Sequence, residues 1–163
     1  MDVNYEIEAN KNNKRTQRLL SLRSKAVRGK RIAKILYNRY TSYLCCTIPL
    51  RTPIGKELRL PHAQGIVISG YAKIGDFCTI YQNVAIGANE HRNNFQTAPQ
   101  IGNNVYIGAG AVVIGDIEIG DNVIVGANAT VTKSIPAGSI VVGMNKIIQG
   151  NIERNPHPHF AGK

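Results

Sequence analysis

The sequence predicts a mainly β protein, a parallel β-helix of hexapeptide repeats expected to coil left-handed, preceded by a short basic α-helical N-terminal segment. Three observations carry that prediction. An aliphatic residue returns every sixth position, at Ile48, Ile54 and Leu60, at Ile68, Ile74, Ile80 and Ile86, and from Ile101 through Ile107, Val113, Ile119, Val125 and Val131. Glycine often follows it (Gly55, Gly75, Gly87, Gly102, Gly108, Gly120, Gly126), and the residue four on is apolar or small, as at Ala72, Cys78, Val84, Ala111 and Ile135. The chain has 7 Tyr, 3 Phe and no Trp, too few aromatics for an ordinary globular core but suited to stacked Ile, Val and Ala. A period of six fits neither the 3.6 of a helix nor the alternation of a flat strand. Three hexads closing one triangular turn, with the aliphatic side chains inward, account for it. Glycine is expected at the corners, where the backbone angles are awkward for other residues.

In chain order, residues 1–15 are polar and expected to fray, and residues 16–44 read as one or two short helices with Gly29 as the break. Leu19, Leu22, Ala26, Ile32, Ile35, Leu36 and Tyr40 roughly follow helical spacing, with Arg and Lys between them. The formal net charge of +10 is concentrated here, because residues 1–40 set eleven Lys or Arg against only Asp2, Glu6 and Glu8. This segment is expected to cap the open end of the solenoid. Its charge would also suit peripheral contact with an anionic membrane. Nucleic acid is not an expected partner, since no base-reading motif accompanies the charge. Neither a signal peptide nor an apolar run long enough to span a bilayer is read. Cys45, Cys46 and Cys78 are odd in number and lack metal-ligand spacing, and Cys78 occupies an inward repeat position, so free thiols in a reducing cytoplasm are expected. The expected division is 1–46 for the tail and helices, 47–148 for the β-helix and 149–163 for a C-terminal tail.

Thirteen hexads amount to a little over four turns, roughly 20 Å of prism at the spacing of paired strands. The repeat breaks twice. The step from Leu60 to Ile68 is eight residues, within LPHAQGIV, and the step from Ile86 to Ile101 is fifteen, so that three or more residues of ANEHRNNFQTAP leave the wall. Each break contains a histidine, His62 and His91, and function tends to sit where a repetitive wall is interrupted.

The stretches LPHAQGIVISGYAKIGDFCTIYQNVAIG and PQIGNNVYIGAGAVVIGDIEIGDNVIVGANATVTKSIP resemble the left-handed β-helix acyltransferases, and among them the serine acetyltransferase type. The resemblance implies transfer of an acetyl group from acetyl-CoA, a co-substrate and not a permanently bound cofactor, to an acceptor hydroxyl. It implies His62 as general base. A hydroxyl attacks well only if its proton leaves as it does so, and an imidazole titrates in the right range. Backbone N–H groups near Gly87 and Ala88 would stabilise the thioester oxyanion. Ala109, Gly110, Gly126 and Ala127 match the groove for the pantetheine arm, with Lys133 and Lys146 placed for the coenzyme phosphates. That groove lies between neighbouring prisms in the family, which implies a homotrimer.

The departures from the family pattern concern the acceptor. Pro61 stands where the family has an Asp before the catalytic His, Thr47 where it has the Asp that orients the imidazole, and Thr97 and Ala98 where an Arg-His pair holds serine. His91 and Arg92 are candidate substitutes for that pair, and a backbone carbonyl, Glu57 or Glu90 for the orienting Asp. With these polar groups gone, a sugar hydroxyl of a surface polysaccharide or its precursor is the favoured acceptor, and L-serine the alternative. The γ-type carbonic anhydrases share the fold but need three histidines on zinc. The repeat region has only His62 and His91, with His157 and His159 in the tail, so no metal is expected. A purely structural or binding solenoid is the remaining class.

Overall fold

The computed structural model describes residues 3–88 and 97–149. Helices α1 (Val3–Val27) and α2 (Arg31–Tyr43) lead into twelve short strands among the described residues. These are β1 (Val67–Ile68), β2 (Lys73–Ile74), β3 (Thr79–Ile80), β4 (Ala85–Gly87), β5 (Gln100–Ile101), β6 (Tyr106–Ile107), β7 (Val112–Ile114), β8 (Glu118–Ile119), β9 (Ile124–Val125), β10 (Thr130–Val131), β11 (Ser139–Val142) and β12 (Lys146–Gln149). They form three parallel faces: face I in the order β1-β4-β7-β10, face II in the order β2-β5-β8 and face III as β3-β6-β9-β11, with β12 closing face III antiparallel. The fold is a left-handed parallel β-helix.

The inward positions stack as the repeat demands. Ile68 pairs in register with Ile86, Val113 and Val131, Ile74 with Ile101 and Ile119, and Ile80 with Ile107 and Val125. All are buried, and each aliphatic side chain removed from water contributes about 1.5–3 kcal/mol. A regular turn takes 18 residues, as from Val112 to Thr130, whereas Ala85 to Val112 takes 27, so nine residues leave the wall there. Face II stacks Ile54, Ile74, Ile101, Ile119 and Ile135, which makes five turns where the thirteen hexads implied a little over four. The last turn is two residues short, which brings Ile135 onto Ile119 as an inward rung and not, as its spacing suggested, a fourth-on position.

The corner glycines do a different job from the one expected. None of Gly55, Gly75, Gly102, Gly108 and Gly120 has a positive φ; that conformation falls two residues later, at Glu57, Phe77, Asn104, Gly110 and Asn122. What requires glycine is proximity. A Cβ on Gly75 would lie 2.3 Å from Gly102 O, and one on Gly108 would lie 2.6 Å from Ala127 N. Asparagine tolerates the left-handed conformation better than most residues, and on the edge between faces II and III side chains also rung the turns together. Asp76 accepts from Lys56 N at 2.7 Å, Asn103 from Asp76 N at 2.9 Å and Asp121 from Asn103 N at 2.6 Å.

The helices cap the first turn, as expected. Thr16 donates to Leu60 O at 2.6 Å, Tyr37 to Ile48 O at 2.5 Å, and Arg23 to the carbonyls of Leu50 and Thr52. Leu19, Ala26, Ala33 and Tyr37 join the core of the prism. Helix α1 begins at Val3 where fraying was expected, because no Gly or Pro interrupts residues 3–28. It ends in a Schellman turn at Gly29 (φ +81), with Lys30 N donating to Lys25 O and Gly29 N to Ala26 O.

Candidate active site

His62 sits on the first turn, at the edge where face III gives way to face I. The two-residue insertion makes a wider corner there, held by Gln64 N donating to His62 O at 2.8 Å and by Gly65 in the left-handed conformation (φ +63). Its side chain is exposed. The ring lies 6.0 Å from that of Tyr81, which lies 5.2 Å from Tyr106, both pairs tilted. The side-chain oxygen of the adjacent Gln82 is buried with no hydrogen-bond partner among the described residues. Tyr81, Gln82 and Tyr106 were missed by sequence reasoning. The available signal was Tyr81 itself, an aromatic in the slot after Ile80 where glycine usually stands.

The same edge continues through the positions matched to the pantetheine groove. Asn83 N donates to Gln64 O, Gly110 N to Gln82 O and Asn128 N to Ala109 O, at 2.8–3.0 Å, which aligns the corner of His62 with Ala109 and Gly110 and then with Gly126 and Ala127. Gly110 has φ +69, and a Cβ there would lie 2.2 Å from the Asn128 side-chain oxygen. Lys146, exposed at the start of β12 opposite Val142, stands toward the far end of this edge.

Other candidates lie elsewhere. Gly87 and Ala88 end a strand of face I at its opposite edge, toward face II, where the nine-residue excursion leaves and where exposed Lys133 stands two turns on. Within one chain the width of face I separates them from His62. Glu57 is on the third edge, between faces II and III, and Thr47 opens face I. Ala98 is buried and brings no polar group. His91, Arg92, Glu90, His157 and His159 fall outside the described residues. Among the described residues no group of His, Cys, Asp and Glu could hold a metal. The cysteines are free, and burial pushes the Cys46 thiol up and the Cys78 thiol up to about 11. Neither thiol is therefore a ready nucleophile.

Residues 98–133 match the bacterial transferase hexapeptide (six repeats) family model. A serine acetyltransferase of Staphylococcus aureus is 46% identical over 91 residues, 56% of this chain and 42% of the relative. The chloroplastic serine acetyltransferase 1 of Arabidopsis thaliana is 38% identical over 128 residues, 78% of this chain and 40% of the relative. The crystal structure of the Neisseria gonorrhoeae serine acetyltransferase superposes with a TM-score of 0.70 at 30% identity, covering 82% of this chain and 53% of that one. The chain carries the hexapeptide repeat of that family model and is similar to serine acetyltransferases. It spans less than half the length of these curated relatives.

Proposed function

We propose that this serine acetyltransferase-like protein transfers the acetyl group of acetyl-CoA to a hydroxyl, with His62 as general base. The observation that carries the reading is the single prism edge shared by His62, Ala109, Gly110, Gly126 and Ala127. Small side chains along that edge let an extended pantetheine arm lie against the backbone, its thioester beside the imidazole and its phosphates toward Lys146. From the first turn to the fifth, four steps at the usual strand spacing make roughly 19 Å. The acceptor hydroxyl attacks the thioester carbonyl directly as His62 takes its proton. The carbonyl oxygen gathers negative charge, then the C–S bond breaks and CoA leaves as its thiol, its sulfur taking the proton held by His62. With Cys46 and Cys78 held as neutral thiols, an acyl-enzyme on either is disfavoured.

The oxyanion donors at Gly87 and Ala88, and Lys133, come from a neighbouring chain in this reading. Face I supplies the means. Its outward column Val67, Ala85, Val112, Thr130 and Met144 carries no charge, while the corresponding column of face II is Lys73, Gln100 and Glu118. Three copies turning face I toward a common axis would set the His62 edge of one chain against the Gly87 edge of the next, a closed heterologous ring. Free thiols and a CoA thioester substrate suit a cytoplasmic enzyme.

L-serine heads the acceptors, because the relatives reported above are serine acetyltransferases and favour it over the sugar expected from the sequence. A sugar hydroxyl stays as the second reading on one observation: Tyr81 and Tyr106 beside His62 offer aromatic surface of the kind a sugar ring packs on. The test is thiol release from acetyl-CoA with L-serine, amino sugars and oligosaccharides, with His62→Ala as control. Release that needs both His62 and one acceptor class supports transfer and names the class; release independent of His62 refutes the mechanism.

A further inference from the structure

The two helices that cap the prism bury one side of α2 and leave the other bare. Ala33, Tyr37 and Thr41 face inward. On the opposite side Ile32 is 75% exposed, Ile35 61%, Leu36 48% and Tyr43 74%, with Val27 of α1 nearby at 56%. At helical spacing the four α2 residues fall within about a third of the circumference, an apolar stripe directed away from the prism. The cations around it are exposed: Arg28 and Lys30 precede the helix, Arg31 borders the stripe, Arg39 stands within it next to Ile35, Leu36 and Tyr43, and Lys34 lies on the far side. Between Glu8 and Glu57 the sequence contains no acidic residue.

We propose that this face of α2 docks on an anionic lipid bilayer, lying in the headgroup region with Ile32, Ile35, Leu36 and Tyr43 inserted, Arg39 snorkelling from among them, and Arg28, Lys30 and Arg31 on lipid phosphates. An apolar stripe on a cationic helix is the pattern of an interfacial, not a spanning, segment, and no helix among the described residues is long and apolar enough to cross a membrane. Charge selects the occupant. Two copies meeting through this face would appose unrelieved positive surfaces, which disfavours self-association, whereas an anionic surface gathers them. The proposal stands whether or not the acetyl-transfer reading does. If both hold, a trimer would present three such stripes from one end of its prisms and gain avidity without further contacts.

The test is sedimentation of the full chain with phosphatidylcholine vesicles, with and without phosphatidylglycerol, at low and at high salt. The chain is expected to bind only the anionic vesicles and to be released by salt. Arg28→Gln, Arg31→Gln and Arg39→Gln together should weaken binding about a hundredfold, since one basic residue near such a surface is worth roughly fivefold. Ile32→Ser with Ile35→Ser should cost at least roughly tenfold for each side chain, with an unchanged thermal melt because both project into solvent. The chain has no Trp, so Tyr43→Trp is a single reporter whose emission should shift to the blue on anionic vesicles alone. No binding at low salt, binding indifferent to the Ile substitutions, or Ile substitutions that change the oligomeric mass and not vesicle binding would each overturn the proposal, the last in favour of an interface between copies.

Discussion

Replacing Gly75 with alanine is expected to force two turns of the prism apart, while the same replacement at Gly87 is expected to leave the fold intact. A Cβ on Gly75 would stand 2.3 Å from the carbonyl oxygen of Gly102 and 2.6 Å from its carbonyl carbon. Both are backbone atoms of the next turn, so no side chain can rotate to give relief. The turns are also tied at that point by Gly75 N donating to Ile101 O at 2.9 Å. An extra methyl group in so tight a place costs about 1–3 kcal/mol. At Gly87 the nearest atom to a new Cβ is Ile114 Cγ1 at 3.9 Å, ordinary contact. Neither glycine has a positive φ, so the comparison isolates turn-to-turn distance from backbone strain. For a chain of this size each kcal/mol moves Tm by roughly 2–4 °C. Thermal unfolding followed by circular dichroism should therefore place Gly75→Ala roughly 2–12 °C below wild type, with Gly87→Ala within about 2 °C of it. Thiol-release assays on the well-folded Gly87→Ala should still show reduced acetyl transfer, because the methyl group crowds the site assigned to the oxyanion. Equal melting temperatures for the two variants would refute the account of why these corners are glycine.

Other expectations follow from single contacts. His62→Ala should lower acetyl transfer about 10²–10⁴-fold at unchanged melting temperature, measured as thiol release at saturating acceptor. Tyr37→Phe removes the donor to Ile48 O and should lower stability by about 1–3 kcal/mol in urea unfolding, loosening the cap. The Cys78 thiol is raised from 9.0 to about 11 by burial. A raised folded-state pKa contributes stability that is fully present below 9.0 and is lost as the pH climbs toward 11. The loss should approach roughly 2–3 kcal/mol and be absent from Cys78→Ala, which equilibrium unfolding across that alkaline range would reveal.

Much of the fold was legible because every turn repeats the same demand. Ile68, Ile86, Val113 and Val131 must each bury one aliphatic side chain against the equivalent of the turn above, and that leaves a six-residue signature in the sequence. The last turn was harder to read, since shortening by two residues keeps Ile135 inward while breaking the count. The start of helix α1 was missed because residues 8–18 contain only Ala9 among apolar residues and offer no apolar stripe to announce a helix. At the site, His62 was legible from the broken hexad and the motif around it. Its shared edge with Ala109 and Gly126 was implied only by resemblance, as contact between turns 18 to 27 residues apart depends on how many residues each excursion removes from the wall. Tyr81, Gln82 and Tyr106 gain interest only from standing next to His62, a relation that no local pattern encodes.

The most direct test is a crystal structure of the protein soaked with CoA. The account predicts the coenzyme sulfur beside the His62 ring, at the edge between faces I and III, with the pantetheine arm running past Ala109, Gly110, Gly126 and Ala127 toward Lys146. A sulfur bound at the edge between faces II and III, or on the helical cap, would contradict it.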